Sequence, residues 1–193
     1  FGKKVSRSKD SVEIISSGKV PLVGPYELIK KMRASFLITG PLLARYGKIK
    51  AELPGGCAIG VRPVNIHLDG FIKLGARIDL KEGYVTVSSK KLSARHIDLS
   101  FPSVGATENL IMCSSMVEGV TVISNAACEP EITDLADFLN KMGACITGAG
   151  TCVITIRGVK KLHGAEHSVI PDRIEAGTYL IAGAITKSNI TIN

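Results

Sequence analysis

The sequence predicts an α/β fold built from a repeated unit of strand, helix, strand, helix, strand and strand. One observation is that a glycine, a short strand, a turn and a second strand recur, and two copies begin at Gly75 and Gly143, 68 residues apart. Another is that each such hairpin is followed by a helix-like stretch and then a β-rich run. Alternation of helices and strands along a chain is typical of the α/β class.

Three β-hairpins are predicted by glycines that can end a helix, followed by short runs rich in β-branched residues. Glu82-Gly83 and the segment from Gly148 to Gly150 supply favourable turn residues for the second and third hairpins. The hairpins are predicted over residues 2–15, 75–87 and 143–156.

Helices alternate with these hairpins. One set is predicted over residues 25–46, 103–118 and 171–186, each followed by a β-rich run at 48–53, 120–124 and 190–192. A second set is predicted over 63–73 and 130–142. Each of these two begins at a proline, which is suited to the first helical turn. The helices are rich in apolar residues all round, so we expect them to be well buried.

Composition excludes some classes of protein and leaves others open. The chain has 193 residues, 45% of them hydrophobic, which is incompatible with a mainly disordered protein. No apolar stretch is long enough to cross a membrane. The net charge of +7 would attract either nucleic acid or a phosphorylated small substrate. Because tryptophan is absent and aromatic residues make up 5%, surfaces for stacking single-stranded bases are scarce, and nucleic acid is disfavoured.

The five cysteines include no C-x-x-C pair, which disfavours a disulfide framework and a zinc site and favours a reducing cytoplasm. Cys113 and Cys152 lie in apolar runs and are expected to be buried. The histidines show no metal-ligand spacing with carboxylates or cysteines, so no metal and no cofactor are predicted.

The segment from Leu53 to His67 is the strongest candidate for a functional loop, because it combines three glycines, two prolines, a cysteine and an arginine. Amide groups at the start of the following helix, with Arg62 just before it, would form an anion site. An ordinary glycine-rich turn is the alternative. Cys57, near this helix start and Arg62, is the best nucleophile or acid because such surroundings lower a thiol pKa. The alternative is a small residue packed under the loop.

Two further residues and one short segment are also candidates for substrate binding. Arg33 lies on an apolar helix and needs a partner or an opening to solvent. The run from Ser103 to Thr107 suits a phosphate- or sugar-binding helix start, although a plain N-cap also explains it. His67 lies one turn after Pro63 and is interpreted either as part of a polar helix face or as a ligand contact.

Several segments together resemble the family of UDP-N-acetylglucosamine 1-carboxyvinyltransferases, which are enolpyruvyl transferases of peptidoglycan synthesis. The resemblance extends over essentially the whole chain and includes the Cys57 loop. The matching segments, in order, are residues 25–35, 54–67, 103–107, 129–132 and 171–175. It implies the enolpyruvyl transferase fold, an inside-out α/β barrel of repeated βαβαββ units. Residues 1–170 would be most of the first domain, and residues 171–193 would begin the second.

The resemblance also implies a reaction and residue roles. The enolpyruvyl group of phosphoenolpyruvate would move to the 3-hydroxyl of UDP-N-acetylglucosamine, with release of phosphate. Cys57 would donate the proton to the methylene carbon and would be the thiol alkylated by fosfomycin. Arg62 would hold the phosphate of phosphoenolpyruvate, and Arg33 would contact the UDP-sugar. Other substrate contacts would come from the nucleotide pocket (Pro63, Val64, Asn65, Ile66), the diphosphate region (Ser103, Val104) and the neighbouring His67 and Gly105.

Three positions depart from the family pattern. Asn65 stands where aspartate is usual, Phe101 where lysine is common and Cys128 where arginine is common. The family's N-terminal lysine and asparagine would precede Phe1, and its aspartate base would follow Asn193, so this chain alone is expected to be inactive.

The resemblance further implies a cytoplasmic protein of cell-wall biogenesis, linked to cell shape, cell cycle and cell division. It would be a monomer at full length and would bind neither nucleic acid nor membrane. Two alternatives are an enzyme similar to enolpyruvylshikimate-phosphate synthase and a non-catalytic scaffold that binds anions or RNA.

Overall fold

The computed structural model describes residues 3–16, 20–23, 33–53 and 64–192, with the side chain of Arg33 excepted. The strands in these ranges are β1 (Lys4–Arg7), β2 (Val12–Ile15), β3 (Lys48–Glu52), β4 (Arg77–Lys81), β5 (Tyr84–Ser88), β6 (His96–Asp98), β7 (Val120–Ser124), β8 (Cys145–Thr147) and β9 (Val153–Arg157). The helices are α1 (Thr39–Tyr46), α2 (Asn65–Lys73), α3 (Val104–Ser114), α4 (Pro130–Lys141) and α5 (Arg173–Thr186). A 3₁₀ helix (Arg33–Ile38) leads directly into α1.

The predicted repeat is confirmed by the order of the strands. The segment β6–α3–β7–α4–β8–β9 forms one complete βαβαββ unit, and its sheet has the order β6-β7-β9-β8 with β6 and β7 parallel. The preceding unit has the sheet order β3-β5-β4. A parallel bridge between Val23 and Lys50 lies beside β3, in the place that β6 takes beside β7. The two units therefore share one topology.

Glycine explains how each unit passes from helix to strand. Gly47, Gly75 and Gly143 follow the ends of α1, α2 and α4, and all three have positive φ, which residues with a Cβ rarely adopt. The hairpin turn at Glu82 and Gly83 also has positive φ at both residues, as a type I′ turn requires. These local signals placed the predicted hairpins correctly.

The core is centred on α3, which packs against α1, α2 and α4. Seven of its eleven residues are buried, and they face in several directions around the helix axis. The sheets cover the outside of this helical layer with inward side chains such as Val85, Ile123 and Ile154. Burial of α3 agrees with its apolar sequence.

Three predictions about burial and strand structure are wrong. Residues 190–192 form no strand, because no described strand pairs with them; Ile190 instead folds back against Gly183 of α5. The apolar helix α5 is exposed, since no described element covers Leu180, Ile181 or Ile185. Cys152 is exposed because it lies in the turn before β9 and not within the strand.

Cys113 is buried, as predicted. The helices of the described ranges include none that is both long enough and apolar enough to cross a membrane.

Candidate active-site region

Most of the predicted functional loop lies outside the described residues. Cys57, Arg62 and Pro63 lie outside the described residues, and only the backbone of Arg33 is described, at the start of the 3₁₀ helix. The other candidates, from Val64 to His67 and from Ser103 to Gly105, are described. They occupy the first turns of α2 and α3 and the residues just before them.

The start of α3 has the capped geometry that its sequence predicts. Ser103 is in an extended conformation, and its hydroxyl oxygen accepts a hydrogen bond from the backbone N–H of Ala106 at 3.3 Å. This bond satisfies one of the first-turn amides, while those of Val104 and Gly105 have no carbonyl partner within the helix. The N-terminus of α3 therefore favours a negatively charged group.

The first turn of α2 presents a different surface. Val64 precedes the helix and is buried, with 8% of its surface exposed, and it belongs to the core. Asn65 is exposed and Ile66 is partly buried. Of these residues, Asn65 is the one whose side chain is directed to solvent.

His67 connects the two helix starts. It is 3% exposed, so the interpretation as part of a polar helix face is wrong. Its ring packs edge-on against Phe36 of the 3₁₀ helix, with centroids 5.2 Å apart. A Cβ on Gly105 would lie 3.4 Å from its Cε1 atom and 3.6 Å from its Nε2 atom. The start of α2, the start of α3 and the 3₁₀ helix that begins at Arg33 thus converge around this ring.

Sequence reasoning missed Asn109, which lies behind His67. Asn109 is completely buried in α3, and its side-chain nitrogen lies 3.1 Å from Nδ1 of His67. The available signal was an asparagine within an otherwise apolar helical run, because a buried amide must be hydrogen-bonded.

A second cluster of titratable groups lies between α3, α4 and the segment that leads to α5. A cavity of about 550 Å³ is lined in part by Glu108, Glu131, Asp134 and His167. Burial raises the pKa of the Glu108 carboxyl, and the charge of Glu131 raises it further. A hydrogen bond from Arg173 holds the pKa of Glu131 below its ordinary value, despite opposing desolvation.

Two residues of this cluster also attach the segment between β9 and α5 to α4. Nε2 of His167 lies 2.9 Å from Asp134 of α4, and its ring packs on Phe138. Arg173, at the start of α5, makes two hydrogen bonds to the Glu131 carboxylate at 2.8 and 3.0 Å. The segment between β9 and α5 is therefore held against α4 at two points.

Replacement of Glu108 by glutamine is expected to stabilise the chain near pH 7. The raised pKa means that the ionised carboxylate is disfavoured in the folded state, so the neutral amide removes this penalty. As the pH falls through the raised pKa, Glu108 gains its proton and the advantage of glutamine disappears. Urea unfolding of both proteins at pH 7.5 and pH 4 measures this difference.

The matched control is Glu118→Gln, because Glu118 is exposed and forms a pair of 3.9 Å with exposed Lys91. It should change stability little at either pH. A stabilisation by Glu108→Gln that persists undiminished at pH 4 would contradict the assignment to ionisation.

Basic residues cluster away from both regions. Lys48, Arg77, Lys90 and Lys91 line a cavity of about 520 Å³. Ser89 joins the ends of two helices there, since its N–H donates to the carbonyl of Gly47 and its hydroxyl to that of Gly75. Helix C-termini carry partial negative charge, which nearby cations neutralise. This cluster therefore has a structural explanation.

Comparison with other proteins places the chain among carboxyvinyltransferases. A family model described as EPSP synthase (3-phosphoshikimate 1-carboxyvinyltransferase) matches residues 1–193. UDP-N-acetylglucosamine 1-carboxyvinyltransferase 1 of Caldanaerobacter subterraneus is 62% identical over 168 residues, which are 87% of this chain and 40% of that protein. The UDP-N-acetylglucosamine 1-carboxyvinyltransferases of Endomicrobium trichonymphae and Finegoldia magna are 56% and 55% identical, each match covering 100% of this chain and 46% of the relative.

Solved structures agree on the fold. The enolpyruvyl transferase NikO from Streptomyces tendae superposes with a TM-score of 0.76 at 24% identity, covering 94% of this chain and 44% of that one. An EPSP synthase from Acinetobacter baumannii superposes with a TM-score of 0.69 at 21% identity. The match covers 95% of this chain and 42% of that one. The predicted enolpyruvyl transferase fold is thus confirmed. The chain spans less than half the length of these relatives. Since the family model matches it from first residue to last, the chain belongs to the EPSP synthase family of 1-carboxyvinyltransferases.

Proposed function

We propose that this chain is part of an enzyme that transfers the enolpyruvyl group of phosphoenolpyruvate to the 3-hydroxyl of UDP-N-acetylglucosamine. The observation that carries the proposal is the 52–62% identity to several proteins named for this activity, over most or all of the chain. The product would enter peptidoglycan synthesis, which would link the enzyme to cell-wall biogenesis, cell shape and cell division. The enzyme would act in the cytoplasm.

The proposed reaction is an addition followed by an elimination. The sugar 3-hydroxyl adds to C2 of phosphoenolpyruvate and gives its proton to the aspartate base that the resemblance implies, while the Cys57 thiol donates a proton to C3. The tetrahedral intermediate then returns a proton from C3 to the Cys57 thiolate and releases phosphate, which restores the double bond. Arg62 would hold the phosphate with paired, charge-assisted hydrogen bonds.

The proposed nucleotide-sugar site lies where α2 and α3 begin. The capped first turn of α3, at Ser103, Val104 and Gly105, offers backbone amides to the diphosphate. The exposed side chain of Asn65, at the start of α2, is available to the nucleotide. Arg33 would approach from the 3₁₀ helix, whose Phe36 already packs on His67.

We also propose a domain boundary near residue 170. Residues 1–170 would be most of the first domain, and residues 171–193 would begin the second. The support is that α5 buries only Gly183 among its fourteen residues, whereas α3 is buried on several sides. An apolar helix with exposed Ile174, Leu180 and Ile181 needs a further layer of protein.

Binding of UDP-N-acetylglucosamine to this chain, measured by calorimetry, tests the proposed function. We expect shikimate 3-phosphate to bind more weakly, which would separate this proposal from an enzyme of the enolpyruvylshikimate-phosphate type. Tighter binding of shikimate 3-phosphate than of UDP-N-acetylglucosamine would contradict the proposal. Salt-dependent binding of RNA with no binding of either small molecule would instead favour the anion-binding scaffold.

A substitution at Gly105 tests whether the diphosphate binds at the first turn of α3. Gly105→Asp places a carboxylate at the first turn of α3 and should weaken UDP-N-acetylglucosamine binding at least about tenfold by charge repulsion. Ile174→Asp puts a carboxylate in the first turn of exposed α5 and should leave binding unchanged. Equal loss of affinity in both variants would contradict a diphosphate site at α3.

A further inference from the structure

The ring of His167 bridges two charged side chains on one face of α4. Asp134, Phe138 and Lys141 occupy positions i, i+4 and i+7 of this helix, so they lie in one row along its surface. His167 comes from the segment between β9 and α5, and its ring packs on Phe138 with centroids 5.2 Å apart. Its Nε2 atom lies 2.9 Å from Oδ1 of Asp134, and its Nδ1 atom lies 3.3 Å from Nζ of Lys141.

These two contacts fix the position of the hydrogen on the ring of His167. An ionised carboxylate only accepts hydrogen bonds, so Nε2 carries the hydrogen that is donated to Asp134. The ammonium group of Lys141 only donates, so Nδ1 accepts with its lone pair. His167 is therefore held as the neutral Nε2–H tautomer, and its basic nitrogen faces the amine of Lys141.

The pair formed by His167 and Asp134 is largely shielded from water. Their side chains are 10% and 16% exposed, and Phe138 supports the ring from one side. A carboxylate that accepts from one nitrogen of an imidazole orients the ring and stabilises the imidazolium that forms when the other nitrogen takes a proton. This geometry makes Nδ1 of His167 an oriented base.

Lys141 offers this base an accessible amine. Its side chain is exposed, and no carboxylate of the described ranges lies within 4.0 Å of its Nζ atom. By contrast, Nζ of Lys81 lies 3.4 Å from the carboxylate of Asp79. An amine is a nucleophile only after it loses its extra proton, and an adjacent general base removes that proton.

We propose that Lys141 is an acylation site whose acyl donor is an acyl phosphate, with His167 as the general base and Asp134 as the residue that positions it. The net charge of +7 favours an anionic donor of this kind. The proposal is independent of the enolpyruvyl transfer proposed above.

The proposed step conserves atoms and charge. Nδ1 of His167 takes one proton from the ammonium group of Lys141, and the resulting amine attacks the carbonyl carbon of the acyl phosphate. An N–C bond forms, and the C–O bond to phosphate breaks. The nitrogen loses a second proton, which leaves with the phosphate, and His167 releases the first proton to water. The products are an acylated lysine and hydrogen phosphate.

Acetyl phosphate is the probe, and peptide mass spectrometry of the treated chain measures the rate of acetylation at each lysine. We expect Lys141 to react at least about tenfold faster than Lys81, since a positioned general base typically contributes more than this factor. Lys81 is the matched control residue because its side chain is 78% exposed and its neighbour is a carboxylate in place of an imidazole. Equal rates at the two lysines would overturn the proposal.

Variants test whether His167 is responsible. His167→Gln removes the base and should lower the rate at Lys141 to that of Lys81. His163→Gln is the matched control, because His163 belongs to the same segment but its Nδ1 atom lies 2.9 Å from the carbonyl oxygen of Gly164. It should leave the rate at Lys141 unchanged. No loss of rate in His167→Gln, or an equal loss in both variants, would overturn the proposal.

The role of Asp134 is tested by a readout that does not depend on acetylation. Long-range ¹H–¹⁵N correlation spectra of the histidine-labelled chain, recorded above the pH at which the ring titrates, report the tautomer of His167. The resonances of His167 are assigned by their loss in His167→Gln. We expect hydrogen on Nε2, and in Asp134→Ala a mixture of the two tautomers. Hydrogen on Nδ1 in the unmodified chain, or an unchanged spectrum in Asp134→Ala, would overturn the assigned roles.

Discussion

Fosfomycin is expected to add one covalent adduct to this chain, and Cys57→Ala is expected to abolish it. The expectation rests on the resemblance of the Cys57 loop to that of the UDP-N-acetylglucosamine enzymes, together with Arg62, which follows it by five residues in the sequence and would favour a thiolate. Intact mass spectrometry after incubation with fosfomycin, with and without UDP-N-acetylglucosamine, measures the adduct.

The other cysteines make this a stringent test. Cys128, Cys145 and Cys152 are exposed and offer competing thiols, so their alanine variants are matched controls that should keep the adduct. Burial raises the pKa of the Cys113 thiol to about 12, so it stays protonated and unreactive at neutral pH. An adduct that survives Cys57→Ala, or that is lost in one of the control variants, would contradict the assignment.

Gly40→Ala is expected to destabilise the fold by about 2–4 kcal/mol, from overpacking and the loss of a buried hydrogen bond. A Cβ at this position in α1 would overlap both the carbonyl oxygen and the side-chain oxygen of Asn109. Part of the obstruction is backbone, so rotation of the Asn109 side chain cannot relieve it. Urea or thermal unfolding measures the loss.

Gly105→Ala is the matched control for stability. Gly105 is also the second residue of its helix and also lies beside the Asn109–His67 network, but the nearest atom to its added Cβ would be 3.4 Å away. Alanine has a higher helix propensity than glycine, by about 1 kcal/mol at interior positions. Gly105→Ala should therefore be neutral or stabilising, and equal destabilisation of both variants would contradict the packing argument.

The parts of the fold that could be predicted from the sequence are those with local causes. The glycines at the ends of α1, α2 and α4 and the turn at Gly83 have positive φ, and the sequence pattern identifies such positions directly. The strand predicted at 190–192 failed because a strand depends on a neighbour, which no local pattern shows. The exposure of α5 has the same origin, since its apolar sequence indicates a need for burial but not what covers it.

The candidate site was predictable in part. Ser103 was predicted as a helix cap from its own segment, and its hydroxyl does cap α3. Asn109 was missed because its partners Thr39 and Gly40 are 70 and 69 residues away in sequence. The burial of His67 likewise depends on Phe36 and Asn109, which only the assembled fold brings to it.

The central claim, that a UDP-sugar binds where α2 and α3 begin, is tested most directly by mapping backbone amide shifts of the ¹⁵N-labelled chain during titration with UDP-N-acetylglucosamine. We expect the largest shifts at Asn65, Gly105 and Ala106, and little change at Lys90 and Lys91 in the basic cluster. Shifts concentrated in that cluster, with the first turn of α3 unaffected, would show binding by general charge attraction and would contradict the account.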